Sequence, residues 1–305
     1  MQALWMLLAA LAFASMAVCV KFASAHFNAA ELVFWRGAIG LVLLWWLARQ
    51  QEVSLRTPVP GMHVWRSVIG VASLAAWFYA IAGLPLATAM TLNYMSSVWV
   101  AAFLVGSSLI ARLPGLGKGG AAPLEHALTQ GALVLTVLAG FAGVVMMLRP
   151  TIEHNQILAG IVGLFSGFGA AFAYMQVMAL ARVGEPETRT VFYFAIGTAV
   201  AGAAGLPLTG LSPWDWGHAV WLLPIGVFAT LGQWCMTRAY GHGATLVVAN
   251  LQYSGIVFGA IYGVLLFGDA IDLWRWLGMA LIVGSGIAST VLRARAVPNA
   301  PAEEH

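Results

Sequence analysis

Asn93 and Asn250 stand at matching places in two apolar stretches, each followed four residues later by a serine, Ser97 and Ser254. Residues four apart share one face of a helix, so each amide is set beside a hydroxyl, and Tyr253 joins the second group. A carboxamide offers donors and an acceptor. That set suits the carboxylate or amine of a zwitterion, and equally suits a bond to a neighbouring helix, where polar side chains act as glue. Thr230, Gln233 and Thr237 recur at i, i+3 and i+7 beside Trp234. Trp77 stands in the equivalent stretch, with Ser73 four residues before it. Tyr79, Tyr94 and Trp99 add aromatic surface, and Tyr174, Tyr193 and Tyr262 extend it. Such rings stack on planar groups and attract cations over their faces. The substrate-binding candidates are therefore Trp77, Tyr79, Asn93, Tyr94, Ser97, Trp99, Gln233, Trp234, Asn250 and Tyr253.

Reactive chemistry is missing from the apolar stretches. Glu31, Glu153, Asp215, Asp269 and Asp272 fall at their ends or between them, as do His26, His63, His126, His154, His218 and His242. No titratable relay crosses the stretches, which disfavours proton exchange and favours passive movement or coupling through an ion. Ser285 lies in Gly284-Ser-Gly286 without a nearby histidine base, so an intramembrane protease is not expected. Cys19 and Cys235 sit in apolar runs without metal spacing and read as structural thiols. No enzyme activity, cofactor or metal is expected. Lys21 and Arg36 lie near the ends of the first two stretches, with Glu31 between them. They read as snorkelling cations with a local ion pair, or as a gate that attracts carboxylates.

The elements that must carry these residues span a membrane. Hydrophobic residues make up 61% of the chain and charged ones 8%, with mean hydropathy +0.87. A soluble domain carries about 25% charged residues. A crossing helix needs about 20 apolar residues. Ten stretches qualify: 3–25, 31–49, 65–83, 87–111, 128–148, 157–183, 188–209, 217–239, 244–267 and 272–292. Leu113 to Leu124 is the long Pro/Gly-rich connection. Trp5, Trp45, Trp46, Trp65, Trp214, Trp216, Trp274 and Trp276 fall at stretch ends, the places of an interfacial belt. Gly163, Gly167 and Ala171, and Gly255, Gly259 and Gly263, follow the small-xxx-small spacing and are expected to pack internally.

One offset of 157 residues maps the first half on the second. It carries Trp77 to Trp234, Ala87-Thr88 to Ala244-Thr245, Asn93 to Asn250, Ser97 to Ser254, and Ala38-Ile39-Gly40 to Ala195-Ile196-Gly197. With the N-terminus inside, ten of the Lys and Arg residues fall on the cytoplasmic side and Lys21, Arg36, Arg149 and Arg275 on the other. Five stretches per half is an odd number, so the halves thread oppositely. Residues 1–150 and 151–293 are the expected repeats, and 294–305 a cytoplasmic tail. A cleaved leader ending near Ala23-Ser24-Ala25 is disfavoured, since no positive charge precedes the run.

Two groups of motifs carry a family resemblance. One is Leu32-Val-Phe-Trp-Arg-Gly-Ala-Ile-Gly-Leu. The other comprises Arg238-Ala-Tyr, Val248-Ala-Asn-Leu-Gln-Tyr-Ser, Gly263-Val-Leu-Leu-Phe-Gly-Asp and Leu277-Gly-Met-Ala-Leu-Ile-Val-Gly-Ser-Gly. Together they resemble the EamA family of the drug/metabolite transporter superfamily, its aromatic-amino-acid-exporter-like members in particular. The resemblance covers nearly the whole chain. It implies an all-α integral membrane fold, ten helices in two inverted five-helix repeats around a central cavity. Ser254-Gly255 stands where the family often has Pro, and Asp269 where it often has Glu.

The expectation is an inner-membrane carrier of small metabolites, exporting an amino acid by alternating access. Uptake of a nucleoside-type or adenosyl metabolite is the alternative, and a non-transporting scaffold the different class. Partners are a small-molecule substrate and the lipid bilayer, with no nucleic acid; oligomeric state is open and a monomer is compatible.

Overall fold

The computed structural model describes residues 2–84, 86–110, 124–148, 156–267 and 272–296. Among them every regular element is a helix: α1 (Gln2–Ala23), α2 (Ala29–Gln50), α3 (Pro60–Gly83), α4 (Leu86–Ile110), α5 (Leu124–Leu148), α6 (Ile157–Arg182), α7 (Glu187–Thr209), α8 (Trp216–Ala219), α9 (Leu222–His242), α10 (Thr245–Leu251), α11 (Ser254–Phe267) and α12 (Leu273–Ala296). The lack of strands follows from the medium the sequence implies. Inside a bilayer a backbone must satisfy its own polar groups, and a helix does so within one segment. Eight helical stretches are long and apolar enough to cross a membrane, counting α8 with α9 and α10 with α11 as single stretches, and Gly131–Met146 is a shorter apolar helix. Arg112, Lys118, Arg149, Glu153, His154, Asp269 and the end of the tail lie outside the described residues.

Local chemistry fixes several boundaries. Asn28 caps α2 through a reciprocal box, its side chain accepting from the Glu31 N–H while Glu31 accepts from the Asn28 N–H. Pro60 opens α3 five residues before the expected start, where its missing N–H costs nothing. Asp215 caps the single turn of α8. The stretch expected at 244–267 is broken. α10 ends at Leu251, Gln252 and Tyr253 form a turn, and α11 resumes at Ser254. The Ser254 hydroxyl bonds the Leu251 carbonyl at 2.7 Å across this break.

Packing exchanges partners between the halves. α1 lies along α9 and α3 along α6, while α2 crosses α7, α5 lies on α12, α4 on α6, and α11 on α1. Close approach depends on missing side chains. A Cβ on Gly37 would sit 2.4 Å from the Ala199 nitrogen, and one on Gly202 would sit 2.4 Å from the Phe34 nitrogen. α2 and α7 therefore meet backbone to backbone, the contact that drives helix association where apolar burial gives none. Gly163 and Gly167 lie against Leu92 of α4, so that row packs internally as expected.

The tryptophans at 45, 46, 65, 214, 216, 274 and 276 are exposed, the placement a belt requires. Trp5 departs from its belt reading and packs edge-on against Trp234, 5.4 Å between centroids.

Candidate functional site

Between the helices lies a cavity of about 80 Å³. α1 contributes Phe13 and Met16, α2 Arg36, α3 Arg66, Gly70, Ser73 and Trp77, and α4 Asn93 and Tyr94. α6 contributes Tyr174, α7 Phe194, α9 Gln233, and the broken stretch Gln252. Both halves of the chain thus face one hollow, largely through aromatic and polar side chains.

Two guanidiniums dominate its chemistry. Arg36 and Arg66 are 4% and 3% exposed. Both sit over the Phe194 ring, Arg36 at 5.4 Å and Arg66 at 4.2 Å from its centroid. Arg66 Nη2 donates to Gln233 Oε1 at 3.5 Å, a long contact. Nε of both arginines, Nη1 of Arg66 and the Trp77 indole N–H have no hydrogen-bond partner among the described residues. Gly70 makes room for this, because a Cβ there would sit 1.9 Å from Arg66 Nη1. The expectation that Arg36 snorkels and pairs with Glu31 does not hold. Glu31 takes the Asn28 N–H and both the N–H and hydroxyl of Ser212, so its oxygens are committed.

The rest of the lining is partly bonded. Asn93 Nδ2 donates to Ser166 Oγ at 3.2 Å, and Ser73 Oγ donates to the Ser166 carbonyl at 2.7 Å. Gln252 Nε2 donates to the Tyr174 hydroxyl at 3.1 Å and its Oε1 accepts from Tyr240 at 3.1 Å.

The cavity brings together four of the sequence candidates, Trp77, Asn93, Tyr94 and Gln233. The other six lie outside its lining. Asn250 is bonded to Ser285, and Ser97 donates to the Ala249 carbonyl at 2.7 Å. Trp234 donates to Thr188 Oγ1 at 3.1 Å. Trp99 stands edge-on to Phe168, Tyr253 is fully buried against Tyr94 and Phe141, and Tyr79 is exposed. A second, apolar hollow of about 340 Å³ lies between α1, α10 and α12, where the exposed Val283 and Ile287 open it sideways. Sequence reasoning passed over Arg66, Phe194 and Gln252. The available signal was an arginine two turns inside a helix, visible once α3 begins at Pro60.

Polar knots lie away from this cavity. Glu185, between α6 and α7, accepts from Thr57 at 2.8 Å, from Arg189 at 3.1 and 3.2 Å, and meets His63 Nε2 at 3.1 Å. Burial alone would raise its carboxyl, but Thr57, His63 and the Arg189 charge outweigh it and hold it below the usual value. His26, Asp215 and His218 bring three potential metal ligands within 4.8 Å. Each is already engaged, His218 by Asp215 and His26 by the Pro213 carbonyl.

Comparison with known proteins gives a consistent answer. The profile of the EamA-like transporter family matches residues 1–107 and 156–291. A pseudopaline exporter of Pseudomonas aeruginosa is 36% identical over 92% of this chain and 93% of its own. A riboflavin transporter of Vibrio cholerae is 29% identical over 92% and 90%. A solved crystal structure superposes with a TM-score of 0.74 over 95% of this chain and 98% of its own at 20% identity, a likeness of fold.

Proposed function

The chain belongs to the EamA-like transporter family and is a multi-pass membrane transporter rather than an enzyme, and we propose that it exports a small amphipathic metabolite of the amino-acid class. The carrying observation is the cavity, where Trp77 and Asn93 meet Gln233, Gln252 and two arginines. Aromatic faces hold an apolar side chain, and amide and guanidinium groups hold a polar head. The relative named as an exporter supports the direction.

We infer ten spans in two inverted five-helix repeats, residues 1–150 and 151–293, with both termini cytoplasmic in an inner membrane. The reciprocal packing supports it. α1 on α9 and α6 on α3 are the same contact under exchange of halves, and so are α4 on α6 and α11 on α1. Transport then rocks one half against the other about the α2–α7 crossing, with the cavity opening to each side in turn. Uptake of a flat nucleoside-type compound is the second reading, favoured by Trp77, Tyr94 and Tyr174 around the cavity and by the relatives named riboflavin transporters.

The test is efflux from liposomes holding purified protein and labelled amino acids, with riboflavin and adenosine in parallel. Amino-acid efflux above protein-free vesicles supports export. Movement of riboflavin or adenosine alone supports the second reading, and movement of none of them defeats both.

A further inference from the structure

Of the six acidic side chains described, Glu31 bonds Asn28 and Ser212, Glu185 bonds His63 and Arg189, and Glu187 meets Arg238 at 3.4 Å. Asp215 holds His218, Asp272 accepts from the Arg275 N–H at 2.9 Å, and Glu52 is exposed after α2. Among the described residues none is paired with Arg36 or Arg66. Yet these two arginines are almost fully buried, face one cavity, and repel each other.

An arginine inside a membrane-spanning segment is costly, so such residues pair with one another, bond backbone carbonyls or line a substrate pathway. A buried arginine kept for architecture spends its planar fork on carbonyls or carboxylates. Here both Nε atoms and one Nη are unbonded. The Phe194 ring offsets part of the charge, since a desolvated cation is attracted to an aromatic face. A ring has no oxygens, so it leaves the N–H groups open. Two charged guanidiniums beside one ring, with Nε of Arg36 and Nε and Nη1 of Arg66 open, form a receptor for two negative charges.

We propose that the cavity takes an organic dianion, received jointly by Arg36 and Arg66, with its uncharged part against Trp77 and Tyr94. This deepens the carrier reading and rests on it. Two carboxylates on one molecule, or one phosphate monoester, present the same chemistry to the two forks. The bound ligand completes the charge balance that the protein leaves open.

The experiment is the shift in thermal unfolding of detergent-purified protein, titrated separately with glutarate, phenyl phosphate and phenylalanine. At least one dianion raises the midpoint and phenylalanine does so far less; which dianion acts separates dicarboxylate from phosphate. Arg36→Gln and Arg66→Gln each weaken that dianion by roughly tenfold or more. Arg36→Lys keeps charge but loses the fork, so it retains part of the shift and guards against misfolding of the glutamine variants. The proposal is overturned if neither dianion outperforms phenylalanine, or if the glutamine variants respond as the parent does. Liposome flux separates it from the carrier reading. Dianion binding without flux of any solute defeats transport alone, whereas phenylalanine flux unchanged in Arg36→Gln defeats the dianion alone.

Discussion

Asn250 is closed on Ser285 from both ends of its amide. Nδ2 donates to the Ser285 carbonyl at 2.9 Å, and Oδ1 accepts from the Ser285 hydroxyl at 3.2 Å. Its counterpart Asn93 makes one bond, to Ser166, and faces the cavity. Two residues that match at a fixed offset thus do different work, one joining α10 to α12 and the other lining the hollow.

The difference is measurable. Asn250→Ala leaves buried groups unmatched and lowers stability by about 1–3 kcal/mol. Unfolding in detergent should show the loss, while flux per folded molecule stays near parental. Asn93→Ala should do the reverse, cutting flux with a smaller stability change. Equal effects of the two variants in both assays would contradict this division.

Trp77 presents a large ring and an unbonded N–H to the cavity. Trp77→Ala should lower apparent affinity by about tenfold through lost stacking and contact. Trp77→Phe keeps most of the ring and isolates the contribution of the N–H. Competition in the liposome assay reads both.

Glu185 ties the loop before α7 to α3 and to Thr57. Its carboxyl is held below the ordinary value of 4.5, where burial opposes and Thr57, His63 and Arg189 prevail. A lowered acid stabilises the fold above its unfolded value, and that stabilisation is lost as pH falls through the folded one. Unfolding midpoints should therefore hold above pH 4.5 and decline below it. Glu185→Gln should cost about 1–3 kcal/mol at neutral pH, because it keeps one acceptor oxygen but removes the negative charge facing Arg189 and His63, and should flatten the acid decline. A parental acid profile in the variant would exclude Glu185 as its source.

Gly202→Ala places a methyl against the backbone of Phe34 and forces α2 from α7. The expected cost is about 1–3 kcal/mol, read as lower folded yield and earlier unfolding. Gly70→Ala meets the tip of Arg66 and the edge of the Phe194 ring. It should weaken ligand affinity by displacing the guanidinium, with a smaller loss of stability than Gly202→Ala, whose methyl meets backbone.

Apolar runs in the sequence mark nearly every membrane stretch, because length and hydropathy set where a helix can lie in lipid. They do not report rotation about the helix axis. Rotation turns Tyr79 away from the face that carries Trp77, while Ser97, one turn beyond Asn93 on the same face, meets the Ala249 carbonyl instead of the cavity. Arg36 read as a terminal cation because it lies only two turns inside α2, and side-chain reach, invisible in sequence, carries it inward. Trp234 and Trp77 match in position, yet the Thr188 hydroxyl claims one indole and no described residue claims the N–H of the other.

The interruption at Gln252 and Tyr253 divides one rod into two levers. An intact α-helix transmits tilt along bonds to the fourth residue back, and here the N–H groups of Tyr253, Gly255 and Ile256 reach back only three. Asn250 ties the short arm to α12, while the long arm packs mainly on α1. Gln252 stands at their junction and also lines the hollow, so the bend and the cavity share one side chain.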